Sequence, residues 1–368
     1  MEPLTYAASG VSVEAGDRAV ELLRAAVART QGPEVLTGVG GFAGLFDLSA
    51  IKAYRRPLLA AATDGVGTKV AVAQALDRHD TIGLDLVAMV VDDVVVCGAR
   101  PLVLTDYIAC GKVVPERIAA IVDGIAAGCE LAGCALVGGE TAEHPGLLEP
   151  DEYDVAGAAV GVVEADQLLG ADRVRPGDAL VAMASSGVHA NGYSLVRRVV
   201  ARAGWGYDRY VEELERTLGE ELLEPTRIYA ADVLELATSL GPDLHALAHV
   251  TGGGLAANVA RVLPDAVHAV VDRGTWRPAP VFQLVGRLGG VPRSDLERTL
   301  NLGVGMVAVV AVERAGEAVE QLAARGVSSW VVGTVAAGPP PPDAGDVVRG
   351  TKGVSGGAVV TVGEYAPA

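Results

Sequence analysis

Residues 63–101, TDGVGTKVAVAQALDRHDTIGLDLVAMVVDDVVVCGARP, place a strand end, a glycine-spaced turn and an acidic helix next to one another. The apolar run at 58–62 predicts the strand, and the apolar residues after the turn predict the helix. Gly65 and Gly67 allow backbone N–H groups to approach an anion, and Lys69 adds a positive point charge. The segment therefore predicts an anion-binding turn between a strand and a helix.

Three aspartates, Asp85, Asp92 and Asp93, interrupt the apolar surface of this helix. Asp85 and Asp92 differ by about 20° around the axis and so share a face, whereas Asp93 lies about 100° further on. A solvated stripe on an amphipathic helix is the commoner explanation of such residues. Burying unpaired charges is costly, however, and carboxylate oxygens are the ligands that Mg²⁺ prefers. Next to an anion-binding turn, the aspartates favour a metal–nucleotide site and hence an ATP-using enzyme.

Composition limits the class of protein. A chain of 368 residues is expected to form two domains, and 50% hydrophobic residues with 47 glycines indicate a globular α/β protein. A net charge of −17 argues against a nucleic-acid or anionic-membrane surface. No apolar run is long enough to span a bilayer, and the N-terminus has no signal-peptide pattern. Four cysteines without metal-site spacing predict free thiols and a cytoplasmic location.

Strands alternate with helices along the whole chain, which predicts an α/β or α+β fold. We expect an N-terminal domain at 1–173, a C-terminal domain at 174–337, and a proline- and glycine-rich spacer with a terminal strand at 338–368. Strands are predicted at 57–63, 101–109, 135–140, 153–163, 179–185, 266–271, 303–311, 329–335 and 358–362. Helices are predicted at 12–30, 69–79, 84–99, 115–132, 191–203, 226–240, 254–263 and 313–325.

Polar residues at strand ends supply further candidates. Glu140 follows two glycines where α/β sheets present ligand groups, and Asp106 interrupts an apolar strand, so it needs a partner or a function. The turn at 185–194 follows a strand and opens a helix, so its N–H groups could hold a phosphate. His189 in that turn could move protons near neutral pH, although an isolated loop histidine is more often structural. The turn at 251–254 also opens a helix.

Other nucleotide motifs fail on their context. The Gly38–Ala43 stretch approximates a dinucleotide fingerprint but follows a helix instead of a strand. Gly111 and Lys112 are followed by valine, so no Walker A motif is present.

The motifs together resemble one family. TDGVGTK, DTIGLDLVAM, GGETAEHPG, DEYDVAGAAVG, SSGVHANGYSLVR, LLEPTRIY and TGGGLAANVARVLP are similar, in order, to those of phosphoribosylformylglycinamidine cyclo-ligases, the aminoimidazole ribonucleotide synthetases of purine biosynthesis. The resemblance extends from about Tyr6 to Val335. It implies a two-domain fold in which each domain is a mixed sheet packed with helices, and a homodimer whose N-terminal domains associate.

The resemblance also implies a reaction and its residues. ATP would phosphorylate the formyl oxygen of formylglycinamidine ribonucleotide, and an amidine nitrogen would then close the ring and release phosphate. The implied ATP-binding residues are Gly40, Gly41, Asp64, Gly65, Gly67, Thr68, Lys69, Gly138, Gly139, Glu140 and Thr141. The implied substrate-binding residues are Ser186, Gly187, His189, Asn191, Gly192, Thr251, Gly252 and Gly253. Asp64, Asp92, Asp93 and Glu140 are expected to face Mg²⁺, and His189, Lys69 and Asp106 are the candidate catalytic residues.

Three details depart from the family pattern. Asp92 stands where the family commonly has asparagine, Cys97 and Arg100 stand in a stretch where glutamine and glutamate are expected, and the proline-rich spacer and tail after Ala337 exceed the usual length. The alternatives are another ATP-using member of the superfamily, above all a separate-subunit formylglycinamidine ribonucleotide synthase, or a non-catalytic paralogue. A paralogue would have lost candidate ligands that are all present here.

Overall fold

The computed structural model describes residues 10–38, 40–350 and 356–366. Tyr6, where the resemblance begins, and Val39 of the glycine-rich loop lie outside these ranges. The chain divides into two compact units, with the division between Ala165 and Asp166 and with Val95–Gly98 counted in the second unit. No helix within the described ranges is long and apolar enough to cross a membrane.

The first unit is built on a four-stranded sheet with the order β1-β4-β2-β3. The pairs β1–β4 and β2–β4 are antiparallel, and β2–β3 is parallel. Its elements, in chain order, are α1 (Val13–Arg29), β1 (Pro57–Gly65), α2 (Val70–Leu76), α3 (Ile82–Val95), β2 (Arg100–Cys110), α4 (Pro115–Ala132), β3 (Ala135–Glu143) and β4 (Tyr153–Glu164). Ser12 caps the N-terminus of α1, since its hydroxyl accepts a hydrogen bond from the Ala15 N–H at 3.2 Å.

Glycines let α3 and α4 approach each other closely. A Cβ on Gly83 of α3 would lie 2.1 Å from the Ile125 nitrogen, and one on Gly124 of α4 would lie 2.5 Å from the Asp80 oxygen. Backbone contact at this spacing is possible only without side chains. The two glycines therefore bring both apolar helices against each other over the sheet.

The second unit contains a seven-stranded mixed sheet with the order β12-β13-β9-β11-β5-β10-β8 and a two-stranded ribbon, β6-β7. Its elements are β5 (Ala179–Ala184), α5 (Tyr193–Ala203), β6 (Tyr210–Val211), β7 (Arg216–Thr217), α6 (Leu218–Leu222), α7 (Ala230–Leu240), β8 (Leu244–His249), α8 (Gly254–Arg261), β9 (Val267–Asp272), α9 (Pro280–Gly289), α10 (Arg293–Thr299), β10 (Val304–Val310), α11 (Ala315–Ala324), β11 (Ser329–Ala337), β12 (Asp346–Arg349) and β13 (Ala358–Val362).

The C-terminal tail is part of this sheet. The terminal strand predicted at 358–362 is confirmed as β13, which pairs in parallel with β9, and β12 pairs with β13 at the sheet edge. Residues 338–345 contain no helix or strand, in agreement with the predicted spacer. The tail thus completes the fold of the second unit.

The sequence patterns did not predict α9 and α10. The first begins at Pro280 and contains Gly286, and the second, Arg293–Thr299, has only seven residues. Helices this short, or interrupted by glycine, give too few apolar positions for a helical period to be recognised. This stretch matters because α10 leads directly into the site of the second unit.

Candidate active site

A cavity of about 360 Å³ in the first unit brings together two of the three glycine-containing segments predicted to bind ATP, and the turn at 64–69 does not line it. One wall is the loop with Gly38, Gly40 and Gly41, and another is the part of β3 from Gly138 to Thr141. Apolar residues of α1 close the back: Ala19, Val20, Leu23 and Val27. Backbone amides on one side and aliphatic side chains on the other form a pocket suited to a small ligand with polar and flat apolar parts.

Asp106 is one of two carboxylates in the wall of this cavity, the other being Glu140. It lies opposite Gly139 in the parallel register of β2 and β3, and a Cβ on Gly139 would lie 2.1 Å from the Asp106 Oδ1. A side chain at position 139 would therefore displace the Asp106 carboxyl group. Desolvation by burial raises the pKa of Asp106 to about 7. Asp106 can accordingly gain or lose a proton near neutral pH.

Lys69 lies in the glycine-spaced turn but points into the protein. Its Nζ is 2.8 Å from the Asp85 Oδ1, and neither side chain has exposed surface. Asp85 neutralises the ammonium group, and in this arrangement no phosphate reaches it. The ion pair instead fixes the turn onto α3, while Gly67 adopts a φ of +71° and the Gly65 N–H donates to Asp64 Oδ1 at 2.8 Å.

The four predicted metal ligands differ in access. Asp93 on α3 and Glu140 within β3 are exposed, Asp64 is half-buried, and Asp92 is fully buried. Within the described ranges, no three His, Cys, Asp or Glu side chains are close enough together to hold a metal ion. Mg²⁺ bound with a nucleotide needs only one or two carboxylates, because phosphates and water fill its other positions. The accessible carboxylates fit that kind of ion, and Asp92 is fully buried.

In the second unit, the turn that follows β5 holds His189 in a left-handed backbone conformation, with a φ of +65°. The Ser186 N–H donates to the His189 Nε2 at 3.1 Å, and the imidazole is 2% exposed. Behind it lies Tyr229, whose hydroxyl donates to the Ala184 oxygen at 2.7 Å. Residues other than glycine seldom adopt a left-handed backbone conformation. The φ of His189, together with its hydrogen bond, therefore indicates that the surrounding structure imposes its position.

Sequence reasoning missed the residues that hold this turn. The Asn301 side-chain amide donates to the Gly187 oxygen at 2.9 Å and to the Val188 oxygen at 3.2 Å, while its oxygen accepts from the Gly303 N–H at 2.8 Å. Asn301 is 5% exposed. The signal available in the sequence was a lone polar residue just before the fully apolar strand β10.

The same segment also contacts the second predicted substrate turn. A Cβ on Gly254 would lie 1.8 Å from the Glu297 oxygen, and one on Gly192 would lie 2.9 Å from the Thr299 oxygen. A Cβ on Gly252 would lie 3.6 Å from the Asn191 Oδ1. The turns at 185–194 and 251–254 are therefore neighbours, and residues 297–301 support both.

Two family models match most of the chain. Residues 47–163 match the N-terminal domain of AIR synthase related proteins, and residues 175–341 match their C-terminal domain. A phosphoribosylformylglycinamidine cyclo-ligase from Geobacillus kaustophilus (strain HTA426) is 51% identical over 337 residues, which cover 90% of this chain and 96% of that protein. Another from Anaeromyxobacter sp. (strain Fw109-5) is 52% identical over 336 residues, covering 91% and 96%.

Solved structures with less sequence similarity share the fold. A thiamine-monophosphate kinase from Stenotrophomonas maltophilia K279a is 20% identical with a TM-score of 0.62, and the match covers 95% of this chain and 97% of that one. The hydrogenase maturation protein HypE in complex with ATP is 21% identical with a TM-score of 0.61, covering 89% and 88%. These matches confirm the predicted two-domain α/β architecture.

Proposed function

The chain belongs to the phosphoribosylformylglycinamidine cyclo-ligase family, and from this premise we propose that it catalyses the ATP-dependent ring closure of formylglycinamidine ribonucleotide in purine biosynthesis. The observation that supports this function most directly is about 50% identity to cyclo-ligases along nearly the full length of both chains. The protein is an ATP-dependent ligase, and the predicted family and activity agree with these relatives.

The formyl oxygen is a poor leaving group, and the reaction needs it to be converted into a good one. The formyl oxygen attacks the γ-phosphorus of ATP, and ADP leaves. The amidine nitrogen then attacks the activated carbon, the ring forms as the C–O bond breaks, and the oxygen departs as part of phosphate while the nitrogen loses a proton. The products are 5-aminoimidazole ribonucleotide, ADP and phosphate. Such chemistry asks the protein mainly for positioning, charge stabilisation and proton transfer.

The cavity of the first unit is the proposed nucleotide site. Its glycine-rich walls present backbone N–H groups to phosphates, and its apolar α1 wall suits a nucleobase. Asp106, with its pKa near 7, is the proposed proton-transfer group on this side. Lys69 acts here as a positioning residue, since its ion pair with Asp85 holds the turn that carries Gly65 and Thr68.

Mg²⁺ is the proposed metal of this site. Asp93, Glu140 or Asp64 would hold it, because their carboxylates are accessible and hard oxygen ligands suit this ion. Asp64 and Glu140 lie on β1 and β3, the two outermost strands of the sheet, so a single chain would not place both on one ion. The bound ion would neutralise phosphate charge during transfer. Asp92 is left out of the proposed set because it is fully buried.

The two turns of the second unit form the proposed ribonucleotide site. Both open helices, α5 and α8, and both are glycine-rich, so their N–H groups are available to the phosphate of the substrate. Ser186, Asn191, Thr251 and the glycines between them would make these contacts. His189 is the proposed group that takes or supplies the proton during ring closure.

A homodimer is the proposed assembly, and a cytoplasmic location the proposed setting, consistent with four free thiols. The sheet of the first unit has helices on one face, while the other face exposes Leu59 (68%) and Tyr107 (40%) together with small apolar residues. A face of this kind is normally covered by a partner. The register places Glu140 opposite Tyr107 on the same face, so a second copy would lie next to a proposed metal ligand.

Oxygen transfer tests the proposed chemistry. Formylglycinamidine ribonucleotide labelled with ¹⁸O in the formyl group is incubated with the protein, Mg²⁺ and ATP, and the released phosphate is analysed by mass spectrometry. The mechanism predicts one ¹⁸O in each phosphate formed. Unlabelled phosphate alongside the imidazole product would contradict phosphorylation of the formyl oxygen.

A further inference from the structure

The chain continues beyond residue 341, where the match to the C-terminal family domain ends. The continuation supplies β12 and β13 and then Tyr365, whose ring packs edge-on against Trp276 with centroids 5.1 Å apart. These added residues cover one end of the core of the second unit.

Arg273 ties the added strands to α10. Its guanidinium binds the Glu297 carboxylate in a two-pronged arrangement, with Nε–Oε1 at 2.7 Å and Nη2–Oε2 at 2.8 Å. The same group donates to Asp346 at 2.6 Å and to the backbone oxygens of Thr361 and Gly363. The Arg273 side chain is only 3% exposed and that of Glu297 20%, so the bonds between these two groups are largely shielded from water, whereas Asp346 is 61% exposed. Tyr365 adds a second link, since its hydroxyl donates to the Glu297 Oε1 at 3.0 Å.

Glu297 is where this link reaches the proposed ribonucleotide site. Its own backbone oxygen contacts Gly254, at the start of α8. Four residues later, Asn301 holds the carbonyls of Gly187 and Val188, next to His189. A displacement of α10 would therefore move the turns at 251–254 and 185–194 together.

We propose that the C-terminal residues beyond the family domain position the ribonucleotide site, with Tyr365 and Arg273 acting through Glu297 on the turns at 251–254 and 185–194. Glu297 and Tyr365 are positioning residues in this arrangement, because they act on the turns through the backbone of α10 and would not themselves contact the ligand. The inference rests on the proposed function for the identity of the ligand, but its structural part is independent of that identity.

Two conservative variants test the link. Glu297→Gln keeps the shape of the side chain but removes the charge that Arg273 binds, and Tyr365→Phe keeps the ring on Trp276 but removes the hydroxyl. Tyr210→Phe is the matched control, because Tyr210 is exposed (61%) on β6. We expect each test variant to raise KM for formylglycinamidine ribonucleotide about threefold to tenfold, the size of one ordinary net hydrogen bond, while KM for ATP stays unchanged.

Amide hydrogen exchange gives a readout that does not depend on activity. Peptides covering 185–194 and 251–258 should exchange faster in Glu297→Gln and Tyr365→Phe than in the wild type or in Tyr210→Phe, at a temperature well below every Tm. The proposal would be overturned by a lower Tm with no selective change in amide exchange in either turn and with equal shifts in both KM values. The contacts of Glu297 and Tyr365 would then only stabilise the fold. Faster exchange in the turns without ring closure by the wild type would support the link and refute the proposed function instead.

Discussion

Asp106 combines a cavity position with a pKa of about 7, against an ordinary value of 3.8, and burial is the main cause. The folded protein therefore holds this proton more tightly than the unfolded chain does. Its contribution to stability is fully present below about pH 4 and is lost as the pH rises through 7.

Asp106→Asn should remove this pH dependence. The Tm of the variant relative to that of the wild type should rise between pH 4 and 7, because asparagine carries no proton to lose. Thermal unfolding across that range measures the difference, and a pH-independent difference would contradict the raised pKa. If the ionised carboxylate accepts the proton in catalysis, the wild-type rate should also rise with pH near pH 7, and the rate of the variant should not.

Asp93 is exposed on α3, so its replacement should affect metal use and not folding. Asp93→Asn should raise the Mg²⁺ concentration needed for half-maximal rate at least about tenfold, the lower end of what loss of even an indirect metal contact costs. Asp80→Asn is the control, an exposed aspartate paired with Arg78. Magnesium titrations of the steady-state rate decide the matter. Equal Mg²⁺ dependence in both variants would remove Asp93 from the ligand set.

His189 offers a way to separate function from backbone strain. Both His189→Ala and His189→Gly should slow ring closure while ATP binding changes little. Glycine tolerates the φ of +65°, however, so His189→Gly should be more stable than His189→Ala by about 1 kcal/mol. Urea unfolding of the two variants measures this difference. A variant with the full wild-type kcat at saturating Mg²⁺ would show that His189 has no catalytic role.

Strand β10 supports the turn that holds His189. Gly305 lies where the register between β10 and β5 shifts, and a Cβ there would lie 2.0 Å from the Tyr229 hydroxyl and 2.6 Å from the His189 Cε1. The strand must lack a side chain at this point for the histidine turn to pack.

Gly305→Ala should therefore destabilise the protein by about 1–3 kcal/mol and lower kcat, because overpacking displaces Tyr229 or His189. Gly316→Ala on α11 is a matched control, since a Cβ there has no neighbour within 4 Å. The control should be neutral or stabilising by up to about 1 kcal/mol. Denaturant unfolding and kcat are measured for both variants. If Gly305→Ala and Gly316→Ala were equally tolerated, the result would contradict the close packing at Gly305.

The sequence predicted elements well where the apolar period was long, as for α1, α3 and α4, and where apolar runs marked β1 to β5. Of the three segments predicted to bind ATP, the loop at 38–41 and the segment 138–141 line the cavity of the first unit, and the turn at 64–69 does not. It could not predict that Lys69 would turn inward to Asp85, because spacing does not define which way a side chain points. Asn301 and Glu297 were missed for a related reason: their importance comes from contacts with turns more than 40 residues away in the chain.

At the scale of the whole molecule, the open face of the first unit's sheet is the basis for the proposed dimer. Leu59→Glu places a charge on that face without touching the packed side, so it should convert a dimer into a monomer near 37.5 kDa. Light scattering coupled to size exclusion measures the mass. Leu168→Glu, at an exposed position in the second unit (42%), is the control and should remain dimeric. An unchanged mass for Leu59→Glu would place the interface elsewhere.

Turnover of the proposed substrate tests the reaction itself. ADP release by the purified protein is measured with Mg²⁺ and ATP, with and without formylglycinamidine ribonucleotide, while 5-aminoimidazole ribonucleotide is quantified in the same samples. A cyclo-ligase should release ADP only with the substrate, matched one-to-one by the imidazole product. ATP binding or hydrolysis without that product would rule out the proposed ring closure.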